Sequence, residues 1–113
     1  MHELAITQSM LDLVQEQARK AKAKKVGEIN LIIGEMSGVV GDCVQFYFDF
    51  LSKGTIAEGA VLSFTTVPTT ARCRDCDRRF ELRQFDWSCP YCGNRNMEIV
   101  AGRELYVESI EVE

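Results

Sequence analysis

Two Cys-x-x-Cys knuckles, Cys73/Cys76 and Cys89/Cys92, stand twelve residues apart and take four of the five cysteines in this chain. Each knuckle offers two thiolates from one tight turn, and the segment between them can fold back as a hairpin to complete a tetrahedron. The expected occupant is zinc held by four sulfurs, a coordinatively closed and therefore structural site. In the second knuckle, Pro90 helps set the turn. Gly93 permits a positive φ that lets backbone N–H groups point at sulfur. The first knuckle lies among arginines, whose charge favours thiolate over thiol. A thioredoxin-like redox role needs only one such pair, and two matched copies around the strand-like Arg79-Phe80-Glu81-Leu82 fit a metal better. The same ligands accept iron, so a rubredoxin-type or iron–sulfur site stands as the alternative.

At 113 residues the chain supports one ordinary domain, or a small domain with a metal-stapled module. No run approaches the roughly 18 apolar residues of a membrane span, and the opening residues lack the basic start and apolar core of a signal peptide. Cysteine pairs without an export signal favour a reducing compartment, so the expected location is the cytoplasm. The net charge of −4 is unevenly placed. Residues 70–103 hold seven arginines (Arg72, Arg74, Arg78, Arg79, Arg83, Arg95 and Arg103) against five acids, and the remainder is formally −6. Zinc with four thiolates adds about −2, leaving the ribbon near neutral. That is a poor footprint for phosphate, so nucleic acid is not an expected partner.

Apolar residues Ile6, Met10, Leu13, Val14, Ala18 and Ala21 recur at helical spacing between Leu4 and about Lys24. Basic residues from Arg19 to Lys25 complement that helix's negative end. Residues 28–33 read as a strand. Asp42, with Gln45 three residues on, predicts a capping box for a second helix that stops before Gly54. The aromatic run within that helix reads as core packing, with Phe46 and Phe50 on one face. Cys43 reads as a small buried apolar residue. Ala60–Val67 and residues 104–112 complete the strands. The last strand is too short to stand alone and rejoins those before the ribbon. The fold class is therefore α+β: two helices packed on a three-stranded sheet, with the four-cysteine zinc ribbon inserted between two strands. The domains are 1–69 with 104–113, and 70–103.

His2 is the only histidine. A lone histidine is ordinarily unremarkable, but this one adjoins an α-amine. The Met1 amine, the His2 imidazole and the intervening amides can chelate one ion through fused rings, an environment suited to nickel(II) or copper(II). The bulk of His2 disfavours removal of Met1. Binding needs an unprotonated amine and a neutral imidazole, so affinity is expected to fall below about pH 7. With the single histidine at a terminus, no Cys–His or Ser–His–Asp arrangement forms within the fold unless His2 reaches back to it, and no enzyme activity is expected. Glu35 reads as a loop residue that caps a helix or pairs with a lysine.

Met1-His2-Glu3, the Gly34-Glu35-Met36-Ser37-Gly38 segment, an aromatic helix ending in Lys53-Gly54-Thr55 and the Cys73/Cys76…Cys89/Cys92 ribbon occur here in one order. Together they resemble the HypA/HybF family of hydrogenase-maturation nickel metallochaperones over essentially the whole chain. The resemblance implies Ni(II) cargo bound by Met1, His2 and backbone nitrogens around His2 and Glu3, with Zn(II) structural at Cys73, Cys76, Cys89 and Cys92. It also implies a HypB-type GTPase partner and delivery to the large-subunit precursor of a NiFe-hydrogenase. Some members carry histidines beside the ribbon and this chain has none, so crosstalk resting on them is not expected here. The chain is expected to be a monomer or weak homodimer. The competing reading is a zinc-ribbon interaction module that docks on nucleic acid or a protein complex.

Overall fold

The computed structural model describes residues 3–82 and 87–113. In chain order these form α1 (Glu3–Lys20), β1 (Val26–Gly34), α2 (Gly41–Leu51), β2 (Val61–Val67), β3 (Thr70–Cys73), β4 (Arg79–Glu81), β5 (Met97–Ala101) and β6 (Leu105–Val112). The strands make two three-stranded sheets, ordered β2-β1-β6 and β4-β3-β5. β2 runs parallel to β1 and β6 antiparallel to it. A parallel pair needs a crossover, and α2 supplies it. The first sheet matches the three strands expected. In the second sheet only β4 coincides with a strand expected from sequence; β3 and β5 are additional.

Helix α1 stops earlier than periodicity suggests. Lys22 adopts φ 56, Lys22 N–H donates to the Arg19 carbonyl and Ala23 N–H to that of Ala18. These two bonds make a Schellman cap with lysine in the left-handed position that glycine usually fills. Ala21 thus falls beyond the helix. Its core face is Met10, Leu11, Val14 and Ala18, whereas Leu13 is exposed. Helix α2 also begins differently. Val40 is the N-cap and no side chain caps the helix. Gln45 bonds Asp49 at 2.7 Å instead of reaching back to Asp42.

The aromatic run of α2 divides by face. Phe48 is 1% exposed and lies in the core, while Phe46 and Phe50 are each 69% exposed. The sequence reading placed both of these in the core. They fall on the far side because Val44 and Phe48, four residues apart, already meet α1 and the sheet. Cys43 is likewise exposed rather than buried.

The core joins α1 and α2 to one face of the first sheet, with Ile29, Leu31 and Ile33 of β1 at its centre. Two bulges adjust which side chains reach it. Val26 pairs with Val112 and Glu28 with Glu111, so Gly27 is an extra residue and both Val26 and Ile29 turn inward. On β6, Glu108 is extra between Val107 and Ser109, and both Val107 and Ile110 pack on the core. On the opposite face Ser63 donates to Glu28 at 2.7 Å, and Asn30 to Ser109 at 2.9 Å.

The two sheets meet at Gly34. Met36 N–H donates to the Gly102 carbonyl, Glu35 N–H to that of Val67 and Gly34 N–H to that of Glu104. A Cβ on Gly34 would lie 2.1 Å from the Gly102 carbonyl oxygen, so only glycine lets these backbones approach. Among the described residues Glu35 neither caps a helix nor meets a lysine. Its carboxylate accepts a 3.3 Å hydrogen bond from Thr69 at this crossing.

Candidate metal centre

Cys73 ends β3, Cys76 follows in the turn to β4, and Cys89 and Cys92 occupy the turn before β5. Both knuckles close in the same way. Asp77 N–H donates to the Cys73 carbonyl at 2.8 Å, and Gly93 N–H to the Cys89 carbonyl at 2.8 Å. Cys73 N–H then reaches Arg78 and Cys89 N–H reaches Asn94, in each case the carbonyl five residues on. The residue after the second cysteine has positive φ in both, 78 at Gly93 and 62 at Asp77. Gly93 therefore does what its type suggests. Asp77 does the same without glycine, because short polar side chains tolerate the left-handed region.

The four sulfurs lie within 4.8 Å of one another. Cys73 and Cys92 approach to 3.5 Å, and Cys76 and Cys89 to 3.6 Å. A tetrahedron with zinc–sulfur bonds of about 2.3 Å has edges of about 3.8 Å, so the donor set and spacing fit a structural zinc. Cys73 and Cys89 are buried, Cys76 is half-buried and Cys92 exposed.

Electrostatics point the same way. Burial opposes ionisation of Cys89, but N–H bonds from Cys92 and Tyr91, then contacts from Cys76 and Cys92, bring it down to about 7. At Cys92 a backbone bond from Asn94 favours the thiolate, yet burial and the other three thiols push it up to about 12. At Cys76 a backbone bond from Arg78 favours the thiolate, but burial and the contacts with Cys89 and Cys73 raise it. Thiolates this close oppose one another's ionisation, and a dication would relieve that. The arginines do not act as expected on sequence. Arg72 is engaged by Glu98, at 2.6 Å from Nε, and by Asp77, while Arg74 lies 3.7 Å from Glu98. The shifts arise instead from backbone bonds, burial and sulfur neighbours.

Two contacts that the sequence reading missed hold the knuckles together. Arg74 N–H donates to the Asn96 carbonyl at 2.9 Å, and the Arg78 guanidinium lies 4.8 Å above the Tyr91 ring. Tyr91 N–H also donates to the Cys89 sulfur at 3.4 Å. An arginine two residues after one knuckle and an aromatic inside the other were the only local signals.

The other expected metal site is the N-terminus. Met1 and His2 lie outside the described residues. Glu3 opens α1, and its carbonyl accepts a 2.6 Å hydrogen bond from buried Thr7. Among the described residues, the four cysteines are the group of His, Cys, Asp or Glu side chains gathered at metal-binding distance. Among those residues, too, no helix is long and apolar enough to cross a membrane.

Residues 1–112 match a family model described as hydrogenase/urease nickel incorporation, metallochaperone, HypA. The chain is 47% identical over 113 residues to the hydrogenase maturation factor HypA of Dehalococcoides mccartyi, covering 100% of this chain and 95% of that one. Against the factor of the same name from Caldanaerobacter subterraneus subsp. tengcongensis it is 45% identical over 114 residues, with both chains fully covered. Two solved structures share the fold at 26% identity. One is a solution structure of HypA protein (TM-score 0.76, covering 100% of this chain and 97% of that one). The other is the Ni metallochaperone HypA from Helicobacter pylori (TM-score 0.69, covering 99% and 97%).

Proposed function

This chain belongs to the HypA family of nickel metallochaperones for hydrogenase maturation, and on that premise we propose that it carries Ni(II) at its N-terminus to the large-subunit precursor of a NiFe-hydrogenase. The Met1 amine, the His2 imidazole and backbone nitrogens around His2 and Glu3 form the nickel claw. A HypB-type GTPase assists the handover, which takes place in the cytoplasm. The family match over residues 1–112 is the observation that carries this reading, since it includes the opening tripeptide as well as the ribbon.

In this scheme Cys73, Cys76, Cys89 and Cys92 hold zinc and shape, and nickel is cargo. A closed sulfur cage has no open position from which to pass on an ion. A claw at a chain terminus can meet an acceptor without unfolding the core. Residues 1–69 with 104–113 then make the nickel-carrying domain and 70–103 the ribbon domain. The strand orders β2-β1-β6 and β4-β3-β5 support that division.

Metal analysis of untagged protein after incubation with nickel tests the scheme. Zinc is expected in both wild type and His2→Ala, and nickel in the wild type alone. Equal nickel uptake by His2→Ala would refute the claw.

A further inference from the structure

Exposed aromatic side chains are uncommon on a small protein, and a pair on one helix face asks for an explanation. Phe46 and Phe50 are each 69% exposed and Leu4 50%. They line one shallow groove with Tyr47, Asp49 and Lys53. The Phe46 ring stands edge-on to Tyr47 at 5.5 Å and 76°, which gives the groove a stiff aromatic wall. Asp42, Phe46, Asp49 and Phe50 share a face by their spacing of four, three and one. Asp49 and Lys53 line the groove, and Asp42 stands one turn before Phe46 on the same helix face. The lobe around it is formally −6.

We propose that this groove is the docking face for the protein that accepts the nickel, and that the acceptor meets it with apolar side chains set in a basic rim. The inference rests on the N-terminal claw described above. Leu4, a wall of the groove, is two residues from His2, a chain length of about 7 Å at most. An ion passed directly between ligand sets requires the acceptor's ligands to reach the claw, so the acceptor's surface must cover what adjoins it. The groove includes Leu4, which follows the claw residues in the chain. The charge of the lobe selects among occupants: a second copy would bring the same formally negative lobe against itself, whereas a basic rim is complementary. Buried aromatic anchors inside a polar border are the usual energetic centre of such a contact.

The test uses the full untagged chain and the purified large-subunit precursor. Affinity is read with and without nickel, and nickel transfer is followed over time. Phe46→Ser/Phe50→Ser removes two exposed rings, so it should fold and load nickel as wild type does. It should bind the precursor about tenfold or more weakly and slow transfer correspondingly. Asp42→Lys/Asp49→Lys should weaken binding and flatten its salt dependence, and it decides the matter alone if the double serine variant fails to fold. Wild-type affinity and transfer in both variants would overturn the proposal. So would a wild-type dimer that the serine variant abolishes, which assigns the face to a second copy, or selective loss of GTPase binding alone. Docking is read without nickel as well, so loss of the claw and loss of the docking face give separate results.

Discussion

Single residues in this protein often carry more than their type announces. Glu111 pairs across the sheet with Glu28, and its carboxyl is pushed above the ordinary carboxylate range, first by the hydrogen bond with Glu28, then by that group's charge and by burial. A raised value means the folded state holds the shared proton more tightly than the unfolded chain. Stability from this pair is therefore fully present below the ordinary carboxylate range and is lost as pH rises through the raised value. Glu111→Gln should stabilise the protein against urea at pH 7 and have little effect near pH 4. A gain confined to pH 4 would show the sign to be wrong. Lys22 and Asp77 are instructive in another way. Both hold a positive φ that sequence habit reserves for glycine, and neither is conspicuous in a linear reading.

At the level of elements, the two knuckles are one device built twice. Each closes on a bond from the residue after its second cysteine back to the carbonyl of its first, and each needs a left-handed residue there. A Cβ on Gly93 meets nothing within 4 Å, so Gly93→Ala incurs backbone strain alone, about 1 kcal/mol. Asp77→Gly relieves the same strain while losing an exposed contact with Arg72, a pair of small worth. Competition with a zinc chelator should show Gly93→Ala releasing zinc more readily than wild type and Asp77→Gly changing little. If the two behaved alike, the shared turn geometry would not govern metal retention. The bulges at Gly27 and Glu108 are comparable local devices, and each shifts the alternation by one residue so that two further side chains reach the core.

Across the whole molecule, which measures 54 × 24 × 17 Å, the crossing at Gly34 joins the helix-covered sheet to the metal-bearing one. The hypothetical Cβ there meets backbone atoms of Gly102 and Arg103, at 2.1 to 2.7 Å, and backbone cannot swing aside as a flexible side chain does. Gly34→Ala should cost about 3 kcal/mol in denaturant unfolding while the cysteine cluster still takes up zinc. A cost below about 1 kcal/mol would mean that the two sheets part easily and that the crossing does not hold them in register.

The cysteine spacing, the helical period of α1 and the β-branched runs of β1, β2 and β6 are properties of short stretches, so they could be read from sequence alone. The four-sulfur cluster and the α+β class followed from them. Tertiary packing decided which face of α2 is buried: spacing places Phe46 and Phe50 together but cannot say whether the sheet or solvent lies opposite them. β3 and β5 are four and five residues long, and their pairing joins segments more than twenty residues apart, so no local pattern announced them. The arginines looked like counterions to the thiolates until Glu98, distant in sequence, took two of them. Local chemistry is written in neighbouring residues, whereas burial and charge pairing depend on what the rest of the chain brings to the same place.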